Sequence, residues 1–203
     1  MARAASKVAK KAASIAAHDD GSLRLAVVAD THSSPHRAID EHLRSLEPDA
    51  ILHAGDIGDL VVLDRLRAIA PTFAVRGNID GVAADIPDVL TLDVLFSGGD
   101  RLMLRILMTH IAVYGPKLRA DVAKMARADD ASIVVCGHSH VPFIARDRDL
   151  TVFNPGSIGP RRFHLPIAFG TIDITPTDIR LTHLDCETGK PWRPAARASS
   201  LGH

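Results

Sequence analysis

The sequence predicts an α/β domain whose sheets are buried on both faces. Three observations carry this. Short aliphatic runs alternate with segments of helical spacing. Polar, chemistry-bearing residues fall just after the aliphatic runs. Hydrophobic residues make up 46% of the 203-residue chain and charged residues 24%, enough apolar material for one sizeable core.

The elements follow in order. Leu23 to Ala29 is a short aliphatic run and reads as a buried strand. Pro35 to Leu46 has helical spacing, with Ile39, Leu43 and Leu46 on one face. Ala50 to Ala54 is a strand, Asp59 to Ala70 a helix stopped by Pro71, and Thr72 to Val75 a third strand. Val89 to Leu95 and Leu102 to Met108 flank a Ser-Gly-Gly-Asp linker and predict a hairpin. Pro116 to Ala128 predicts a helix with Pro116 in its first turn. Ser132 to Cys136 is a strand, and further strands are expected near Phe143, at Thr151 to Phe153, Ala168 to Ile174 and Ile179 to His183. The chain is thus divided into a core domain at 23–185 and two flanking segments.

Residues 1–22 are Ala-rich and lack an acid before Asp19; without residues 1–11 the chain keeps 20 basic and 24 acidic residues. The segment reads as a frayed or weakly helical extension whose removal leaves the domain intact. A transit peptide is the competing reading, and no apolar stretch of secretory-signal length follows the charges. Residues 186–203, rich in Pro, Arg, Ala and Ser, read as a loose tail.

Composition excludes several classes of function. Lys plus Arg and Asp plus Glu are 24 each, so there is no basic excess for tracking a phosphate backbone. Aromatics at 4% offer little base-stacking surface, so no extended nucleic-acid track is expected. No apolar run reaches the ~18 residues needed to span a bilayer. Two cysteines are too few for a disulfide framework. A cytoplasmic protein is expected, and a homo-oligomer is compatible with the sequence.

The chemistry sits at strand ends. Asp30 and His32 follow the first strand, Asp56 the second, Asn78 and Asp80 the third, His110 the later hairpin strand, and His138 and His140 the next. Residues two apart on extended chain point the same way, so Asp30 with His32 and His138 with His140 each form a pair. The glycines before Asp56, Asn78 and His138 permit close backbone approach. The donors are all oxygen and nitrogen, suited to Mn, Fe, Zn, Co or Ni. Two dications against two carboxylates leave a surplus of about two positive charges, which a bridging hydroxide reduces and a phosphate anion can use. Taken singly, each residue has a plainer explanation: a helix cap for Asp30 or Asp56, a turn for Asn78, an ordinary hydrogen-bonded histidine for the rest. Five blocks in order, each at a strand end, outweigh those explanations.

The blocks D-x-H, G-D, G-N-x-D, T-H and G-H-x-H resemble the calcineurin-like metallophosphoesterase superfamily. With Asn154-Pro155-Gly156-Ser157 and the short length, they look like its small prokaryotic YfcE-type phosphodiesterase branch. The resemblance covers Leu23 to Leu184. It implies a four-layer α/β/β/α sandwich with two facing mixed sheets. It places one metal on Asp30, His32, Asp56 and His140 and a second on Asp56, Asn78, His110 and His138, with Asp56 bridging. Mn²⁺ is the expected metal. The implied activity is hydrolysis of a small phosphate ester, a diester in preference to a monoester, by in-line attack of a metal-bridging hydroxide. Asp56 and Asn78 are then catalytic, with His32 and Asp80 expected to stabilise developing charge. Two alternatives compete. One is a protein-binding scaffold on the same fold, the role of the retromer subunit that resembles these enzymes; the other is a nucleotide-directed phosphatase or nuclease.

The sequence departs from the wider pattern at Ile79, where many relatives carry a proton-donating histidine, and at Ile111 and Ala112 after His110. His53 is expected to support the site without ligating, Cys136 to pack in the core, and Asn154 to pin a loop near the first metal. Arg161 and Arg162 are either a solvated charge pair or a hold on a phosphate oxygen.

Overall fold

The computed structural model describes residues 8–82 and 85–194. The first seven residues and the last nine lie outside it, and with them parts of both expected flanking segments.

Two mixed sheets face each other. The five-stranded sheet contains β2 (Leu23–Val28), β3 (Ala50–His53), β4 (Thr72–Ala74), β12 (Ala168–Ile174) and β13 (Ile179–Asp185), in the order β13-β12-β2-β3-β4. The six-stranded sheet contains β1 (Lys10–Ala16), β5 (Val89–Leu95), β6 (Leu102–Thr109), β9 (Ile133–Val135), β10 (Phe143–Asp147) and β11 (Leu150–Asn154), in the order β1-β5-β6-β9-β11-β10. A two-residue pair, β7 (Val113–Tyr114) with β8 (Lys117–Leu118), stands apart.

Strand alternation sorts the side chains into three cores. Leu23, Leu25 and Val27 of β2 point inward and meet Leu92, Val94, Ile106 and Phe153 from the other sheet. Ala26 and Val28 point outward, where α1 (Ile39–Leu46) buries Ile39 and Leu43 and α2 (Val61–Arg67) buries Val62, Leu63 and Leu66. On the far side, α3 (Ala120–Ala128) lays Val122, Ala123 and Ala126 over Leu107, Val134 and Val152. The result is the expected four-layer α/β/β/α sandwich.

Three local expectations are corrected. Residues 10–16 are a strand, not a frayed or helical extension: β1 pairs in parallel with β5 over seven positions, from Lys10–Val89 to Ala16–Leu95. Pro116 does not open a helix. It sits in the β7–β8 turn beside Gly115, whose φ is 58°, and α3 begins at Ala120. The segment after Asp185 is not loose as far as Trp192. The Trp192 N–H donates to the His183 carbonyl at 2.8 Å, and Cys186 is fully buried.

The edge strand changes what truncation does. Deleting residues 1–16 strips seven ladder positions, removes Ala13 and Ile15 from their packing on the central core, uncovers Ala17, and leaves β5 as a bare edge. The expected loss is about 2–4 kcal/mol, from a few net backbone hydrogen bonds and two or three partly buried side chains. Thermal unfolding checks it: a melting temperature unchanged by the deletion would show that β1 contributes nothing.

Candidate metal centre

The strands β2, β3 and β4 run parallel, and so do β6 and β9 in the opposite sheet. Their carboxyl ends open at the same end of the sandwich, so the loops that follow meet across the gap between the sheets. The loops are tied to their neighbours within each sheet and, between His138 and Asp30, across the gap. The Asp30 N–H donates to the Gly55 carbonyl at 2.9 Å, and the Gly137 N–H to the His110 carbonyl at 3.0 Å. The His138 N–H donates to the Asp30 carboxylate at 3.0 Å.

These loops are bent in an unusual way. Asp30, His32, Asp56, His138 and His140 all have positive φ, between 47° and 68°. Non-glycine residues seldom enter this left-handed region, and when they cluster they mark a site held in place by its surroundings. The turn at Gly77 shows how tightly the loops pack: a Cβ there would lie 2.1 Å from the Asp56 nitrogen and 2.2 Å from its Oδ1.

Six of the seven expected donors fall into two clusters. Asp30, His32 and His140 form one, and Asp56, His110 and His138 the other; within each, donor atoms lie within 4.8 Å of one another. Asp56 faces both. Its Oδ1 is 3.3 Å from His110 Nε2, and its Oδ2 is 3.8 Å from His32 Nε2. Asn78, the seventh donor, is exposed and lines a cleft beside the second cluster together with His110, Ile111, Arg76 and Arg119.

The donor atoms suit cations. His110 Nδ1 donates to the Ala54 carbonyl at 2.8 Å, which fixes the ring with Nε2 toward Asp56; burial lowers the His110 pKa, but the contact with Asp56 outweighs that, so a metal at Nε2 would replace a proton. His110 Nε2 and His140 Nδ1 are buried without a hydrogen-bond partner among the described residues. Such orphaned nitrogens are costly unless a ligand completes them. His32 and His140 hydrogen-bond through their Nε2 atoms at 3.2 Å, a pairing that a cation between the rings would replace. Burial lowers the pKa values of His32, His138 and His140, the last to about 4, so their rings stay neutral and available to ligate. Burial also pushes the Asp30 carboxyl up to about 7, a penalty that a neighbouring dication would remove. Asp56 is held below the usual carboxylate range: burial pushes it up, but the contact with His110 outweighs that.

Several supporting residues fall where the sequence put them. His53 is fully buried; its Nδ1 accepts the Gly55 N–H at 3.2 Å and its Nε2 contacts Thr31 Oγ1 at 3.1 Å, which leaves no nitrogen for a metal. Asn154 donates to the Gly137 carbonyl at 2.7 Å and to Ser139 Oγ at 3.1 Å, pinning the His138–His140 loop. Cys136 is core. The cap explanation for Asp30 and Asp56 fails, because the three helices start after Ala38, Leu60 and Arg119.

Asp80, expected to stabilise developing charge, spends both carboxylate oxygens on backbone amides. Its Oδ1 accepts the Gly58 N–H at 2.8 Å, and its Oδ2 accepts Gly77 N–H at 2.7 Å and Ile57 N–H at 3.1 Å. It staples the Asp56 loop to the Asn78 loop. The two arginines separate: Arg161 pairs with Glu187, whereas Arg162 Nη2 lies 3.1 Å from His32 Nε2. Ser157, given no role from sequence, donates to the Asp30 carbonyl at 3.0 Å; the Asn-Pro-Gly-Ser run was its signal.

With this geometry in hand, comparison with known proteins decides the family. The model of the calcineurin-like phosphoesterase superfamily domain matches residues 23–177. The chain belongs to that superfamily. A probable metallophosphoesterase of Methanocaldococcus jannaschii is 31% identical over 153 residues, 68% of this chain and 69% of the relative. The phosphodiesterase YfcE of Escherichia coli K12 is 26% identical over 116 residues, 55% of this chain and 58% of the relative. Among solved structures, Vacuolar Protein Sorting 29 from Cryptosporidium parvum superposes with a TM-score of 0.69 at 17% identity, over 85% of this chain and 95% of that one. That likeness shows the fold alone. As a superfamily member the chain carries a phosphoesterase domain with two candidate metal-ligand clusters.

Proposed function

We propose that this protein is a binuclear metal-dependent phosphodiesterase. One observation supports the reading: Asp56, a member of the second donor cluster, also brings its Oδ2 to 3.8 Å of His32 in the first. Asp30, His32, Asp56 and His140 would hold the first ion, and Asp56, Asn78, His110 and His138 the second. When bound, two divalent ions, Mn²⁺ foremost, supply Lewis-acid charge neutralisation and an activated water for in-line displacement at phosphorus. The chain's own part is positional. Asp80 and Asn154 lock the donor loops, Ala54 orients His110, and buried Asp30 supplies negative charge where it is least screened.

The diester preference is supported by the similarity to YfcE and by Ile79, which leaves the site without the histidine that helps a poor leaving group. A cytoplasmic setting is consistent with two free, buried cysteines. No described helix is long and apolar enough to cross a membrane. Against a protein-binding scaffold of the same fold, the reading rests on the retention of every expected donor.

The test is a substrate panel on purified protein with Mn, Ni, Co, Mg or Zn. Chelator-sensitive hydrolysis of bis-p-nitrophenyl phosphate, faster than that of p-nitrophenyl phosphate, is expected. Faster monoester cleavage would overturn the diester assignment.

A further inference from the structure

The loop from Gly156 to Leu165 carries two side chains that metal binding does not use. Its root is clamped to the first donor loop. Ser157 Oγ donates to the Asp30 carbonyl at 3.0 Å, the Ile158 N–H to Ala29 at 3.2 Å, and the His36 N–H to the Ile158 carbonyl at 2.7 Å. Gly159 crosses Asp30 so closely that a Cβ would lie 2.3 Å from the Asp30 carbonyl oxygen. Arg161 ties the far side, donating to the Leu165 carbonyl at 3.0 Å and pairing with Glu187. Between these anchors the Leu165 N–H donates to the Arg162 carbonyl at 3.1 Å, which closes a tight turn with Phe163 and His164 at its centre.

The turn sends its two side chains to different tasks. Arg162 reaches back to His32, 3.1 Å from Nε2. Phe163 stands 91% exposed with a φ of 52°. A bulky residue at positive φ is a conformational outlier, and an exposed phenyl ring gains no burial to offset it. Two apolar side chains next in sequence to expected donors are also exposed: Ile79, beside Asn78, at 51%, and Val141, beside His140, at 40%.

Electrostatics assign the arginine. A guanidinium beside a cluster built for a dication is repelled unless an anion lies between them. The planar fork of arginine matches phosphate oxygens. An anion-binding arginine, a projecting aromatic ring and exposed apolar residues next in sequence to donors together describe a phosphate ester with a flat organic group. We propose that Arg162 binds a non-bridging phosphate oxygen and that Phe163 stacks on a planar aromatic group, such as a nucleobase, carried by the half of the diester that keeps the phosphate. The inference deepens the phosphodiesterase reading and rests on it.

The test uses two diesters with one leaving group: the p-nitrophenyl ester of thymidine monophosphate and methyl p-nitrophenyl phosphate. All three variants below change exposed side chains, so the fold is retained. Phe163→Ala is expected to lower kcat/KM for the thymidine ester about 5–150-fold, the range that base–aromatic stacking spans on alanine substitution. It should leave the methyl ester within about twofold, since that substrate has no ring to stack. Arg162→Ala should lower both, with partial rescue in Arg162→Lys. Calorimetry on the Mn-loaded protein adds a readout without turnover: thymidine monophosphate should bind more tightly than methyl phosphate, and the difference should vanish in Phe163→Ala. Equal effects of Phe163→Ala on both esters, or none, would overturn the inference while leaving chelator-sensitive hydrolysis, and so the phosphodiesterase reading, intact. If the wild-type protein cleaves neither ester, that reading fails; the calorimetry then decides the inference, which equal binding of the two ligands overturns.

Discussion

Asp56→Asn is expected to lose more than one equivalent of bound metal and to lower turnover by about 10²–10³-fold or more. Lewis-acid stabilisation of transition-state charge is worth several kcal/mol, and each 1.36 kcal/mol is tenfold in rate. Asp56 brings one oxygen to 3.3 Å of His110 and the other to 3.8 Å of His32, so under the proposed reading its charge would serve both sites. The amide oxygen of asparagine can still accept the Ile79 N–H, now bonded to Oδ1 at 3.2 Å, so the loop has a reason to keep its shape. Removing the Asp56 charge also relieves its repulsion of buried Asp30. Against that relief, the variant gives up the contact with His110 that holds the Asp56 carboxyl low, so the metal-free variant should melt somewhat lower than metal-free wild type. Asn78→Ala, which removes an exposed neutral donor, should cost less. Elemental analysis with steady-state kinetics checks the pair, and retention of two metals at full activity in Asp56→Asn would show that the bridge is misassigned.

The second large effect concerns the leaving group. General acid catalysis is typically worth about 10²–10⁴-fold. Ile79 occupies the position from which many relatives donate that proton, and its half-exposed side chain has none to give. Asp80, the nearest carboxyl along the chain, is committed to three backbone amides. The departing oxygen is thus left to carry its own charge. Log kcat/KM should fall steeply as leaving-group pKa rises across diesters that share one constant half. Ile79→His should flatten the slope if the imidazole reaches the leaving oxygen. A nearly flat plot for the natural protein would mean that another acid already protonates it.

The site was legible from sequence because each donor directly follows a strand, so one local pattern reports both strand end and ligand. Gly77 and Asp56 make the point: the glycine is required because the two backbones touch, and its place before Asn78 signals that contact. What was illegible depended on distant partners or on side-chain direction. Lys10 to Ala16 is rich in Ala and Lys, which have low strand propensity, and its partner β5 lies nearly 80 residues away. Nothing local announces that pairing. The segment after Asp185 looked loose by composition, but the Asp185 carboxylate accepts the Glu187 and Thr188 amides and folds it back. Asp80 fits the family's block by position, yet a block cannot say which way a carboxylate turns. Arg161 and Arg162 are adjacent in sequence, and only the turn closed at Leu165 separates their roles.

The central claim is that two ions share Asp56 and that turnover requires them. The most direct measurement is metal content against activity on one preparation. The protein is stripped with a strong chelator, titrated with Mn²⁺, and followed by elemental analysis and diester hydrolysis at each step. Activity should be absent from the stripped protein and reach its plateau at two equivalents per chain. Full turnover in protein shown to be metal-free would contradict the account.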